Sequence, residues 1–244
     1  MPPKGPTNIG DMAFKMATEG PHKTLPTPRL VQLLFNHTYI ARTTSALYVW
    51  EHPYFPQFYL PQAALPGLES RATKLTDITD PNSGQTLATQ YQLTIADRST
   101  SEIIVFAPNL PGPAAPISGL VKVNFNAIDQ WLEESTPIFV HPKDPFKRID
   151  ILHSTRPLKV SVNGRQIAET SSAMHLYETG LPCRFYMPLT CLDVSVLRRT
   201  ETRTQCPYKG EAEYYSVDLG EEGVWEDVVW FYDRPSLECA KVEG

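Results

Sequence analysis

In the stretch YETGLPCRFYMP, residues 177–188, a carboxylate, a guanidinium and two phenols fall within ten positions. Glu178 stands where a β-type run gives way to a proline-rich turn. A carboxylate at a strand end facing aromatic walls can carry a raised pKa and work as a general base. The alternative is a structural carboxylate that holds the backbone N–H groups of the following TGLP turn. Arg184 is a candidate for binding an anionic group of a substrate, with Tyr177 and Tyr186 beside it. A lysine follows in CPYKG: Lys209 could be a desolvated base, a Schiff-base amine or an anion anchor, or else a surface residue in the turn ended by Gly210.

The same chemistry is written once before. VWEHPYFPQFYLP, residues 49–61, aligns without a gap to residues 176–188, which pairs Glu51 with Glu178 and Tyr59 with Tyr186. Here Glu51 and His52 are the acid/base candidates, and Trp50, Tyr54 and Tyr59 are candidate walls of an aromatic pocket. A small-molecule pocket is therefore expected at Trp50, His52, Tyr54 and Tyr59, or at Tyr177, Glu178, Arg184 and Tyr186. Both segments leave a strand through a proline-rich turn, which places side chains at the mouth of a small β domain.

The elements that must hold these residues are strands. VQLLFN and HTYIARTTSALYVWE are β-branched and aromatic runs broken by a polar pair, as in a hairpin, and KVSVNGRQIAETSSAMHLYE repeats them. Asn163-Gly164 is a strong type I′ turn signal, because both central positions need positive φ. Asn36-His37 is weaker turn chemistry and predicts a longer or looser hairpin. Further on, EIIVFAPNLPGPAAPISG (102–119) resembles DVVWFYDRPSLECAKVEG (227–244). The first copy then continues through LVKVNF, which reads as a strand, and AIDQWLEE, the best candidate for a short helical turn. The second reaches Gly244 with no counterpart, and an open sheet edge there would be a liability.

Two copies of a domain-sized unit mean tandem domains. The expected architecture is mainly β: two homologous small antiparallel domains, barrel-, sandwich- or tent-like, with little helix. Residues 1–28 read as an extended arm that could pair two copies of the chain, 29–134 as the diverged first domain, 135–157 as a proline-rich charged connector and 158–244 as the second domain. In the connector, Lys143, Lys147 and Arg148 are expected in inter-domain ion pairs, with a phosphate site as the sharper alternative.

Composition narrows the function classes. A net charge of −5 over 244 residues argues against nucleic-acid binding, which relies on an excess of Lys and Arg. No apolar run approaches the roughly 20 residues of a membrane helix, and the N-terminus lacks the apolar core of a secretory signal, so a cytoplasmic location is expected. The 23 prolines suit short strands joined by rigid turns. Cys183, Cys191, Cys206 and Cys239 form no C-x-x-C pair and read as reduced thiols without a metal. Signatures of serine hydrolases, zincins, P-loops and dinucleotide folds are missing.

TQCPYKGEAEYYSV (204–217), with GRQIAET and YETGLPCRFYMP before it and VVWFYDRP after it, resembles the family catalogued as domain of unknown function 427. FVHPKDPFKRID and DQWLEE are similar to the linker of its fungal two-copy members. The resemblance covers about residues 31–244 and implies a compact antiparallel β domain. The family's older label, nucleotidyltransferase, implies nucleotidyl transfer, but no paired-carboxylate Mg²⁺ motif accompanies it. The C-P-x-K-G motif has no counterpart in the first copy, where TLATQYQLTIAD stands. The leading functional expectation is an enzyme without a cofactor: a lyase, isomerase or cyclase of fungal specialised metabolism acting on a small molecule. A non-catalytic module that binds a ligand or partner is the alternative, and a nucleotidyltransferase the second.

Overall fold

A computed structural model describes residues 8–244. The chain divides into two compact units, Met1–Pro142 and Lys143–Gly244, each built from antiparallel sheets.

The first unit runs α1 (Ile9–Glu19), β1 (Lys23–Pro26), β2 (Val31–Phe35), β3 (Thr38–Thr43), β4 (Leu47–His52) and β5 (Phe55–Pro61). It continues through α2 (Leu68–Arg71), β6 (Ala72–Thr79), β7 (Thr86–Ile95), β8 (Arg98–Phe106), β9 (Leu120–Val123), β10 (Gln130–Glu133) and β11 (Thr136–Ile138). Seven strands form one sheet in the order β1-β4-β5-β9-β8-β7-β6, and four form another in the order β11-β10-β2-β3. Apolar side chains such as Leu33, Phe58, Leu60, Val121 and Trp131 fill one core, which contains residues of both sheets. On the other face of the large sheet, Tyr59, Ile104 and Phe106 form a second core with Ile9, Met12, Ala13 and Met16 of α1.

Residues 9–26, expected as an extended arm, are thus a helix and an edge strand of their own domain. The reason is the apolar spacing of Ile9, Met12, Ala13, Met16 and Ala17, all buried on one helical face. Asn8 caps the helix by accepting from the Gly10 N–H at 2.7 Å. Gly20 ends it at φ 76°, where a Cβ would lie 2.6 Å from the Pro113 backbone. The first seven residues of that arm lie outside the described residues.

The second unit runs β12 (Ile149–Ser154), β13 (Leu158–Val162), β14 (Arg165–Thr170), β15 (Ala173–Glu178), β16 (Arg184–Tyr186), β17 (Leu197–Cys206), β18 (Gly210–Asp218) and β19 (Val224–Phe231). Its sheets are β12-β15-β16, β13-β14 and β17-β18-β19. No closed barrel forms in either unit among the described residues.

The repeat holds in hydrogen-bond register. Val31 faces Thr43 and Leu33 faces Ala41, with a bulge after Leu33. Their counterparts in the second copy do the same: Leu158 faces Thr170, Val160 faces Ala168, and the bulge follows Val160. Leu47 faces Tyr59 as Met174 faces Tyr186. Lys23 faces Trp50 as Asp150 faces Tyr177, so β12, inside the expected connector, is the second domain's own first strand.

Three local expectations are corrected. The Asn36-His37 hairpin is no looser than its counterpart: Asn36 and His37 both have positive φ, 46° and 58°, as Asn163 and Gly164 do. Asn36 is held there from outside the hairpin, its amide Nδ2 donating to Ile95 O at 2.9 Å and its backbone N–H to Asp129 Oδ2 at 2.7 Å. The segment QWLE is strand β10, not a helical turn, because it pairs with β2 and buries Trp131 against Phe58 and Phe125. The likeness of 102–119 to 227–244 slips by one position in the sheet. The bulge opposite Ser216 holds Glu226, Asp227 and Val228, where the bulge opposite Gln92 holds only Ser101 and Glu102, so Ile104 corresponds to Trp230.

Candidate functional site

Alternation along β15 sends Leu176 and Glu178 to the same face of their sheet, and the end of the strand leaves the carboxylate beside the turn that follows β17. That turn, PYKG, carries Lys209 to Glu178, with Nζ 2.7 Å from Oε2. Lys147 approaches the other oxygen at 3.9 Å. The side chains of Glu178 and Lys209 are 8% and 11% exposed, so the pair is nearly out of water but not sealed.

The pair forms one wall of a cavity of about 280 Å³. Arg184, Tyr186, Tyr214, Trp230 and Tyr232 supply much of the rest, with Leu181 and Pro182 at the turn. The Trp230 indole N–H donates to the Tyr186 hydroxyl at 3.2 Å, and the Arg184 guanidinium lies 6.0 Å from the Trp230 ring centre. Tyr214 is tied through its hydroxyl to Thr204 Oγ1 at 2.6 Å.

The electrostatics assign a protonation state. Burial works to lower the pKa of Lys209, but the hydrogen bond to Glu178 and the Glu178 charge oppose it, and the net shift is upward. Lys209 is therefore an ammonium at neutral pH and not a free amine nucleophile. Burial raises the Tyr186 phenol against the opposing bond from Trp230, and burial raises Tyr232 strongly. Both phenols are neutral at neutral pH.

Of the second set of expected residues, Glu178, Arg184 and Tyr186 meet at this cavity, and Lys209 joins them. Tyr177 points to the opposite face, where its hydroxyl accepts from Arg156 at 3.4 Å. Sequence reasoning misses Trp230, Tyr214 and Tyr232. The available signal is the strand spacing of Trp230 and Tyr232 in VVWFYDRP, two positions apart on one face.

The first set does not converge. Trp50 and Tyr59 are buried, 3% and 0% exposed, in different cores. Tyr54 is exposed, and His52 packs edge-on against Phe55 with centroids 4.2 Å apart. Glu51 does have a lysine partner, Lys122, which comes from β9 and not from a turn. This pair is covered: Tyr59 bridges from Glu51, at 3.2 Å, to the sulfur of Met12 in α1, at 3.6 Å. No α-helix is described in the second unit; there Leu176, on the same face as Glu178, packs instead with Cys239 and Val242 of the short 3-10 helix Leu237–Val242.

The basic residues expected as inter-domain links or a phosphate site are each paired inside the second unit: Lys143 with Glu238 at 2.8 Å, Lys147 with Glu178, and Arg148 with Asp150 at 2.9 Å. The four cysteines are free. Among the described residues, no group of three or more His, Cys, Asp or Glu side chains is placed to hold a metal ion. No described helix is long and apolar enough to cross a membrane.

Two copies in one register agree with a family match. The model of Domain of unknown function (DUF427) matches residues 23–134 and again 150–244. The chain belongs to this family. The two matches begin at β1 and at β12, the strands that share a register in the two copies. A search of the curated proteins gives no match. Within this DUF427 chain, the first copy keeps the glutamate and recruits a different lysine, while the second presents the pair to a cavity.

Proposed function

We propose that the second domain is an acid/base enzyme site for a small organic molecule, of the lyase, isomerase or cyclase kind, with the first domain in a supporting role. The observation that carries the reading is the convergence of Glu178, Lys209 and Arg184 on one aromatic-walled cavity of about 280 Å³. That volume is at the lower edge of the ~300–1,000 Å³ of ordinary ligand pockets, so the substrate has few heavy atoms.

The chemistry follows from the ion pair. A substrate carbonyl or carboxylate oxygen takes over the Lys209 ammonium, and Glu178 is released from its partner next to the substrate carbon. Glu178 then removes a proton from the carbon adjacent to the carbonyl, and Lys209 stabilises the resulting enolate oxygen. Return of the proton to another carbon gives isomerisation, and loss of a β-leaving group gives elimination. Arg184, exposed over Trp230, holds an anionic end of the substrate.

Solvent-deuterium incorporation into small 2-oxo and 3-oxo carboxylic acids, followed by proton NMR, tests this. Exchange by the native chain that falls about 10²- to 10⁴-fold in Glu178→Gln, with the fold intact, supports the acid/base role. Saturable stabilisation by such acids with no exchange favours the binding-module reading, for which the neutralised resting pair also speaks. Nucleotidyl transfer by paired carboxylates draws no support from this cavity, since Glu178 is the only carboxylate lining it among the described residues.

A further inference from the structure

Strand β18 lies between β17 and β19, and both outer strands leave the ladder at nearby positions along it. In β17, Thr200, Glu201 and Thr202 stand opposite Tyr214; in β19, Glu226, Asp227 and Val228 stand opposite Ser216. One carboxylate joins the two bulges. Asp227 accepts hydrogen bonds from Thr200 Oγ1 and Thr202 Oγ1, both at 2.7 Å, and its backbone N–H donates to Ser216 Oγ at 3.1 Å.

The backbone at Asp227 is strained, with φ at 54°, a conformation that glycine adopts freely and a residue with a Cβ does not. A bulge that needed only this conformation would be served by glycine. The two hydroxyl-to-carboxylate bonds are charge-assisted; they offset the strain and tie the bulge across the sheet. The first copy's bulge opposite Gln92 is one residue shorter, and neither Ser101 nor Glu102 has positive φ.

That one residue decides which side chains face Glu178. With a bulge of the first copy's length, Val229 would stand opposite Tyr214, and the period of two would send Trp230 to the other face. Instead Trp230 stands opposite Tyr214. There its indole N–H reaches the Tyr186 hydroxyl at 3.2 Å and the Arg184 guanidinium lies 6.0 Å from its ring centre. Val229 packs on the opposite face with Ile167, Val217 and Tyr215.

We propose that Asp227 is a positioning residue of the cavity: its bonds to Thr200 and Thr202 hold the longer bulge that turns Trp230, and not Val229, toward Glu178. It thereby sets the Arg184–Trp230 platform for the anionic end of the substrate. This use of the platform rests on the acid/base reading above; the placement of Trp230 does not. The platform binds and does not abstract the proton, so its loss weakens substrate binding and leaves the chemistry of Glu178 in place.

Fluorine NMR of the full chain labelled with 5-fluorotryptophan reads the placement, with the Trp230 resonance assigned through Trp230→Phe. Asp227→Ala, Asp227→Gly and the joint replacement Thr200→Val with Thr202→Val should each shift or broaden that resonance, while those of Trp50 and Trp131 stay in place. Asp227→Asn should keep the native signal, because its amide can accept from one threonine and donate to the other. Asp227→Gly separates the role from fold stability, since it removes the strain together with the carboxylate. In the deuterium-exchange assay Asp227→Ala should raise KM about tenfold with kcat lowered no more than about twofold, the pattern of lost binding. An unmoved Trp230 resonance in Asp227→Ala and Asp227→Gly overturns the proposal, and so does an Asp227→Asn spectrum that matches theirs and not the native one. A moved resonance with unchanged KM overturns the platform's role. Without exchange by the native chain the acid/base reading falls and takes the platform's use with it, while the fluorine spectrum still decides the placement.

Discussion

Glu51 and Glu178 occupy equivalent positions in the corresponding strands β4 and β15, yet each is neutralised by a lysine from a different part of its domain: Lys122 from strand β9 and Lys209 from the turn before β18. The carboxylate is common to the two copies and its counter-charge is not. That is the pattern expected when a nearly buried carboxylate must be paired to be tolerated, whatever supplies the pairing.

Removing one partner from the second pair should expose that requirement. Glu178→Gln or Lys209→Met alone should destabilise the second unit by about 1–3 kcal/mol, less than for a sealed pair because the cavity admits water. The double variant should cost less than the sum of the two. Urea denaturation of the three variants checks the coupling.

His37 sits in the left-handed region at φ 58°, exposed, where its counterpart is Gly164. His37→Gly should stabilise the first unit by about 0.5–1 kcal/mol, because the strain at positive φ exceeds the entropy that glycine adds to the unfolded chain. A thermal melt that moves down instead would show that the side chain contributes more than the strain costs.

Gly20→Ala should act in the opposite sense. A Cβ there meets the Pro113 backbone at 2.6 Å and the residue has φ 76°. A loss above about 2 kcal/mol is expected, with the helical signal of α1 weakened first. Far-ultraviolet circular dichroism and chemical denaturation read it.

Acid should weaken the fold in two stages. Burial lowers the pKa of His52 against the pull of Glu51, and burial with the Arg156 charge lowers that of His175, whose Nδ1 is 2.8 Å from Arg156 Nη2. The unfolded chain therefore binds protons first, and stability falls as pH drops below the ordinary histidine value of 6.5. A second loss comes below about pH 4.5. There Glu213, held down by hydrogen bonds from Arg199 and Arg203, and Asp227, held down by Thr200 and Thr202, must take up protons. Denaturation midpoints measured from neutral pH down through the carboxylate range check both stages, and replacing both histidines with glutamine should remove only the first.

The thiols provide a separate reading of burial. Cys183, Cys191 and Cys206 are partly exposed, while Cys239 is fully buried and its thiol is pushed up by that burial. Titration with a thiol reagent should find Cys239 protected in the native chain and all four residues reactive after denaturation.

Much of this architecture is legible in the sequence because it is local. Asn163-Gly164 and the alternating runs around it specify a hairpin, and the gapless alignment of the two copies carries that hairpin to Asn36-His37. The tightness of the Asn36-His37 turn is not legible there, because Asp129 and Ile95 impose it from distant parts of the chain. QWLE misleads for the same reason: its partner β2 is equally remote. At the site, Glu178, Arg184 and Tyr186 share a strand–turn segment and can be read together. Trp230 and Tyr232 come from the far end of the domain, and only the sheet brings them near. Trp50 and Tyr59 are aromatic enough for a pocket, but which face of a sheet lies under a helix is not written in those residues.

The shared register of the β2–β3 and β13–β14 hairpins, bulge included, sets a problem in biosynthesis. Each hairpin could dock in the other's place without any change of backbone geometry, a kinetic trap familiar from tandem domains of common descent. Discrimination must then come from side-chain volume. Phe35, buried in the first core, corresponds to the half-exposed Val162, so an exchanged hairpin would leave a void in one domain and a displaced ring in the other. The divergence between the copies is what lets a ribosome make them in series and have each close on itself.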